Sequence, residues 1–477
     1  MSVTALCALA CASLASATDD SSPELSSEIL AADISAHVQY LASDELKGRA
    51  VGTPECVQAA KYLAGIMEES GLAPGDGESF LQAVPLCNYE HTGDPVLVLT
   101  TKSGEELPVA FGQHFTVRVR GEAKDSELLA LRIVQSLEEL PEKANAKEAL
   151  LLIASSRERG AWLKARDMGS GQGWGLYMTI GSKRDGKPGG RRPRGRMQRA
   201  TFGPEDSDFV TFRGTISEQL LADEFTHVQL SYTATREEII DYNVVARING
   251  VGTKEQPELA KETIVFSAHF DHIGTREAPG DAEDADVVFN GADDDASGTA
   301  TVLELAAAFA ALEEPPVRTL VFLLATGEER GLLGTNYYID DPVVPLADTV
   351  TNLNFEMLGR PDDLVGGKGK LWLTGFERTT LGAAFAERGI DVVEDKRPDQ
   401  NFYQRSDNMA FVRQGIIGQT LSTYNMHADY HQVSDEWDTL DYEHMEACAK
   451  AAFAASRMLA DGSLTPEWLP GGQDLGR

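Results

Sequence analysis

The sequence predicts an α/β fold: a mixed, largely parallel central sheet flanked by helices, carrying a β-rich inserted domain. Three observations predict it. From "YNVVARING" onward, apolar runs alternate with helical stretches, the pattern of strands and helices in one layered domain. Runs such as "ETIVFSAH" and "VRTLVFLLAT" are almost continuously apolar, as strands covered on both faces must be. Between residues 96 and 235 the pattern changes to short β-like runs separated by polar loops, among them "PVLVLT", "FTVRVRG", "ALLLIAS" and "HVQLSYTA".

At 477 residues the chain has room for two domains, or for one large domain with an insertion. It opens on "MSVTALCALACASLASATDD", an uncharged apolar stretch ending in the small-x-small pattern Ala15-Ser16-Ala17. Residues 1–17 are therefore expected to be an export signal, although no Lys/Arg precedes the apolar run, and the mature protein is expected to be secreted or periplasmic. The stretch is too short to span a membrane. Two of the five cysteines, Cys7 and Cys11, would leave with it; Cys56, Cys87 and Cys448 remain and permit at most one bridge.

Residues 18–95 form the N-terminal helical part of the main domain. Helical periodicity runs through "ISAHVQYLASDEL" and "CVQAAKYLAGIMEESG", the second closing on Gly71 as a C-cap would. The insertion, 96–235, contains the basic, Gly- and Pro-rich segment 181–199, read as a solvated loop. Residues 236–462 carry the sheet, with strands in "ETIVFSAH", "VRTLVFLLAT", "TVTNLNFEM" and "QGIIGQTLST" and a helix in "SGTATVLELAAAFAAL". A loose tail, 463–477, follows. The net charge of -33, from 42 Lys+Arg against 75 Asp+Glu, argues against nucleic acid or an anionic membrane as partner, since both reward basic patches. No transmembrane segment stands out.

Polar groups gather just past the carboxyl ends of these strands. "SAHFDHIG" places His269, Asp271 and His272 there; "ATGEERG" places Glu328 and Glu329; "NFEMLGR" places Glu356. Open α/β sheets bind ligands at that edge. With "GADDDASG" (Asp293, Asp294, Asp295) and "HADYHQVSDEWD" (His427, His431), the inventory is imidazoles and carboxylates without thiolates, which suits a catalytic rather than a structural zinc site. Each piece alone has a plainer reading. "HFDH" could be a loop hydrogen bond, "GEER" a helix start whose acids offset the dipole, and the aspartate triplet an N-cap with solvated neighbours. "HADYH" has metal-clamping i, i+4 spacing but lacks the glutamate of HExxH and reads as loop. The combination, in one order at one sheet edge, favours a metal.

The series "AHFDHIG", "GADDDASGTATVLELA", "TGEERGLLGTNYY", "NFEMLGR" and "DYHQVSDEWDTLDY" resembles the M28 family of zinc-dependent exopeptidases, the aminopeptidase group with two zinc ions. The resemblance covers about 242–459 and, more loosely, "LASDELKGRAVGTPE". It implies the zinc-exopeptidase fold and peptide substrates, with His269 and Glu356 on one zinc, Glu329 and His431 on the other, and Asp294 bridging. Glu328 matches the general base acting on a metal-activated hydroxide, and Asp271 the carboxylate that orients His269. The insertion stands where many members carry a protease-associated domain. Two positions depart from the pattern: Glu356 stands where many members have aspartate, and Asn408 where histidine is common. His272 and His427 are read as local hydrogen-bonders. Rival readings are a glutaminyl-cyclase-like or carboxypeptidase activity on the same scaffold, and a non-catalytic binding module.

Overall fold

The computed structural model describes residues 28–125, 127–135, 139–141, 143–153, 174–180, 198–199, 208–278 and 285–474. The expected export signal, and all but the last two residues of the basic segment 181–199, lie outside the described residues.

Two helices open the described chain, α1 (Ala31–Leu41) and α2 (Pro54–Glu69). Thr53 caps α2 by accepting the Cys56 N–H at 3.2 Å, and Pro54 sits in the first turn, where a missing N–H costs nothing. The helix ends as its sequence suggests. Gly71 takes φ +80°, and the Gly71 and Leu72 amides donate to the Glu68 and Met67 carbonyls at 2.9 and 3.2 Å, the Schellman pattern.

The central sheet contains β1 (Leu81–His91), β2 (Phe225–Ile248), β3 (Thr263–His269), β4 (Thr319–Ala325), β5 (Thr349–Glu356), β6 (Leu371–Leu373), β7 (Val392–Glu394) and β8 (Ile417–Ser422). Their spatial order is β1-β2-β4-β3-β5-β8-β6-β7. The four middle strands β4, β3, β5 and β8 are mutually parallel, while β1 and β2 meet their neighbours antiparallel and β6 runs antiparallel to β8 but parallel to β7. Every residue of β3 and β4 is buried, which is why both read as unbroken apolar runs. Helix α3 (Gly298–Ala310) lies on this sheet, with Phe309 5.8 Å from the Phe266 ring and 6.4 Å from Phe322. Each such buried ring contributes about 1.5–3 kcal/mol. Helices α4 (Leu333–Asp340) and α5 (Tyr442–Ala460) complete the labelled set.

Strands Val96–Thr101, Phe115–Arg118, Leu129–Val134, Glu148–Leu152, Leu176–Ile180 and Phe209–Phe212 enclose a second core that includes Leu97, Phe115, Leu151, Leu176, Val210 and Val228. Strand β2 serves both layers. Its first half pairs with Val96–Thr101 and its second with β1 and β4, so the break expected at 235/236 falls inside one continuous 24-residue strand.

Two further expectations are corrected. The N-terminal part is not only helical, because β1 lies in it; Pro85 disguises that strand and is tolerated at the sheet margin, where a lost N–H costs little. The tail is not loose as far as Asp474. Arg318 donates to the Leu464 carbonyl at 2.8 Å and the Leu469 amide to the Arg378 carbonyl at 2.8 Å. Cys56, Cys87 and Cys448 are buried and free, within the limit of at most one bridge that the sequence set. Among the described residues, no helix is long and apolar enough to cross a membrane.

Candidate metal centre

Because β4, β3 and β5 are adjacent and parallel, their carboxyl ends deliver side chains to one edge of the sheet. His269 is the last residue of β3 and Glu356 the last of β5. Beyond β4, Gly327 at φ +70° turns the chain into the short turn Glu328–Arg330. The loop before α3 brings the aspartate triplet, and the loop after β8 brings His431.

Two groups of donor atoms converge there and share one residue. His269, Asp294 and Glu356 form the first; His272, Asp294 and Glu329 form the second. Asp294 turns one oxygen to each side: Oδ1 is 3.3 Å from His269 Nε2, and Oδ2 is 3.1 Å from His431 Nε2. Glu329 Oε1 lies 2.9 Å from His272 Nδ1 and 3.2 Å from His431 Nε2. Yet His269 Nε2, both ring nitrogens of His272, Glu329 Oε1 and Glu356 Oε2 are buried without a hydrogen-bond partner. Donor atoms that crowd together without hydrogen-bonding are aimed at a common point, and leaving so many buried polar atoms unsatisfied would be costly without a cation there. Burial pushes the Glu356 carboxyl up to about 7, a penalty that a nearby dication would reverse. Imidazole and carboxylate donors without thiolate fit zinc in an open site.

Asp271 faces two ways. Its carbonyl oxygen lies 3.1 Å and its Oδ1 3.7 Å from His269 Nδ1, and the same Oδ1 accepts the Glu328 backbone N–H at 2.9 Å. It therefore sets the ring of one candidate ligand and the backbone of the candidate base together. Burial, with Glu356, Asp407 and Glu329 adding repulsion, raises the Glu328 carboxyl well above the usual carboxylate range.

The flanking aspartates have separate duties. Asp295 accepts the Gly298 and Met357 amides, each at 3.0 Å, and the His269 amide at 3.3 Å, tying the triplet loop to β3 and β5. Asp293 Oδ1 accepts the Gly359 amide at 2.7 Å. His427 stands beside Asp293, Nε2 to Oδ2 3.0 Å, and receives Arg360 on its other nitrogen, so it supports the loop from behind. Asn408 is buried and bonded to the Tyr403 and Gly418 carbonyls at 3.0 and 3.3 Å, a structural position.

Three contributors were missed in the sequence reading. His272, read as a local hydrogen-bonder, stands among the candidate ligands; its signal was the "HFDH" spacing, which the choice of His269 left unused. Asp435 accepts both the Asp293 and Asp294 amides at 3.1 Å, and was hidden among the acids of "HQVSDEWD". Arg49, fully buried, donates to the Phe270, Leu41, Asn290 and Gly291 carbonyls and so clamps both ligand-bearing loops to the N-terminal segment.

Gly291 has a specific reason to be glycine. It holds φ +57°, and a Cβ there would come within 2.5 Å of His272 Cγ and 2.4 Å of the Asp294 carbonyl oxygen. Gly291→Ala is expected to displace the His272 ring and the Asp294 backbone and to weaken metal affinity about 10- to 100-fold, as loss of ligand orientation does. Competition with a chromogenic chelator measures it; unchanged affinity would show that these two candidate ligands are positioned without this turn.

The described chain is thus an α/β fold with imidazole and carboxylate side chains gathered at the carboxyl edge of its parallel strands. Residues 243–456 match the model of peptidase family M28. The vacuolar membrane protease of Lachancea thermotolerans is 30% identical over 210 residues, 43% of this chain and 19% of that protein. Its counterpart in Sclerotinia sclerotiorum is 25% identical over 198 residues, 41% of this chain and 16% of that protein. The match thus spans less than a fifth of these relatives' length. A solved aminopeptidase from Aneurinibacillus sp. strain AM-1 shares the fold with TM-score 0.53 at 18% identity, over 91% of this chain and 95% of its own.

Proposed function

We propose that this chain is a zinc-dependent aminopeptidase that removes N-terminal residues from peptides. The observation that carries the reading is the pair of ligand groups sharing Asp294, each with imidazole and carboxylate donors left without hydrogen bonds. His269 and Glu356 would hold one zinc and Glu329 the other, with Asp294 between them; His431, 3.1 Å from Asp294 and 3.2 Å from Glu329, would complete the second set, beside His272, the imidazole of the converging group. Bound zinc supplies Lewis acidity, lowering the pKa of water and polarising a carbonyl.

The remaining work falls to the chain's own side chains. Glu328, with its raised affinity for a proton, takes one from the attacking water and passes it to the leaving amine. Asp271 keeps that carboxylate and the His269 ring in register. Asp295 and Asp435 hold the bridging loop rigid, so that Asp294 needs little reorganisation as charge develops. The insertion is read as protease-associated-like from its position, and the leader-like N-terminus supports export.

Incubation with a mixed peptide library, followed by mass spectrometry, tests the reaction. Trimming from the amino end, stopped by chelation, is expected; trimming from the carboxyl end would replace this reading by a carboxypeptidase. Two zinc per chain at saturation is expected, and one would favour a cyclase-like centre.

Zinc removal should also be visible in stability. Without cations the centre packs Asp271, Asp294, Asp295 and Glu356 as buried or half-buried carboxylates around a few imidazoles. A ligand that binds only the folded state at about 100 times its Kd adds about 2.7 kcal/mol. Exhaustive chelation should lower Tm by several degrees, with zinc restoring it; an unchanged Tm would remove the argument that a cation relieves this cluster.

A further inference from the structure

Beside the metal centre, a recess is lined by Glu356, Met357, Trp372, Phe402, Arg405 and Tyr430, with threonine and serine hydroxyls at its base. Its walls are aromatic. Trp372 stacks on Phe402 at 5.3 Å between centroids, and Phe402 meets Tyr424 edge-on at 5.6 Å. Such walls alone would accept an apolar side chain. Two of the lining groups, however, can only donate hydrogen bonds.

Arg405 lies over Phe402, its guanidinium carbon 5.3 Å from the ring centroid, and reaches the Tyr430 hydroxyl at 3.5 Å. Among the described residues it has no carboxylate within ion-pair distance, although acids outnumber basic residues 75 to 42 in the chain. Trp372 is 2% exposed, and its indole N–H is buried without an acceptor. The guanidinium has no lone pair to offer, so a ligand in the recess pairs with it by bringing an acceptor. The hydroxyls are already engaged: Ser406 and Thr420 accept from Asn354, and Ser422 accepts the Tyr424 amide. Glu356 also borders the recess, and the reading above commits its charge to zinc.

We propose that this recess binds a substrate carboxylate, carried by the side chain of an N-terminal glutamate or aspartate, with Arg405 as the residue that determines this specificity and the Trp372 ring as a packing wall. The proposal rests on the aminopeptidase reading, because the recess adjoins Glu356 and so receives the side chain of the residue whose peptide bond lies at the metals. Arg405 supplies charge-assisted hydrogen bonds that a neutral side chain cannot match. An acidic residue is thus favoured in spite of the protein's own negative charge.

The test uses the zinc-loaded enzyme and p-nitroanilides of glutamate, glutamine and leucine, which have no C-terminal carboxylate, together with the dipeptide Leu-Glu. Glutamate is expected to be cleaved with the highest kcat/KM. Arg405→Leu should lower that value roughly 10- to 100-fold, mostly through KM, while sparing the leucine substrate, and Arg405→Lys should recover part of it. Calorimetry of L-glutamate binding should show the same loss of affinity without turnover. Glutamine cleaved as well as glutamate, or an unchanged glutamate-to-leucine ratio in Arg405→Leu, would overturn the proposal. So would an effect of Arg405→Leu confined to Leu-Glu, which would place the recognised carboxylate at the peptide's end. Failure of the wild-type enzyme to cleave any of these substrates would instead overturn the aminopeptidase reading on which the proposal rests.

Discussion

Glu328→Gln is expected to lower kcat by about three orders of magnitude, within the range of about 10²–10⁴ that a positioned acid–base contributes, with zinc content unchanged. The substitution keeps size and shape. It keeps the backbone N–H bond to Asp271, which does not involve the side chain. What it removes is the ability to take up a proton. Glu328 belongs to neither of the converging ligand groups, whereas its neighbour Glu329 belongs to one. Glu329→Gln should therefore fail differently, losing metal as well as rate. Elemental analysis beside single-turnover kinetics separates the two, and a Glu328→Gln enzyme with near wild-type kcat would show that another group moves the proton.

The legible and illegible parts of this chain differ for a physical reason. Strands β3 and β4 were readable because burial on both faces forces continuous apolar sequence, and the candidate ligands because chemistry restricts residue type at strand ends. Strand β1 was not, because it sits at a margin where Pro85 is tolerated and alternation is weak. Nor was the continuity of β2, since a strand that serves two cores changes its burial pattern midway. At the centre, the triplet could be divided only once neighbours were known: Asp294 faces the imidazoles, while Asp293 and Asp295 accept backbone amides. His272 went unrecognised for the same reason. Its ring reaches Glu329 only because Gly291 leaves space for it. Long-range supports such as Arg49 and Asp435 carry no local signal, for their partners lie hundreds of residues away or are backbone atoms.

Arg49→Met is expected to destabilise the protein by about 3–5 kcal/mol, the cost of leaving several buried carbonyl acceptors without a donor. Arg49 is fully buried, and burial pulls its guanidinium down to about 10, yet it stays protonated at neutral pH. Four carbonyl oxygens surround it, from Leu41, Phe270, Asn290 and Gly291. Methionine fills much of the volume but donates nothing, so buried acceptors are left unpaired at about 1–3 kcal/mol each before relaxation. Phe270 lies between His269 and Asp271, and Gly291 opens the triplet loop, so the damage should reach the metal centre as well as the fold. Urea denaturation should show a lower midpoint with an unchanged slope, and zinc affinity should fall in parallel. Arg49→Lys should be intermediate, since an ammonium keeps the charge and three donors but not the fork that spans both loops. A midpoint shift worth less than about 0.5 kcal/mol, the scale of an ordinary surface change, would mean that water replaces the guanidinium and that the two loops are held by their own contacts.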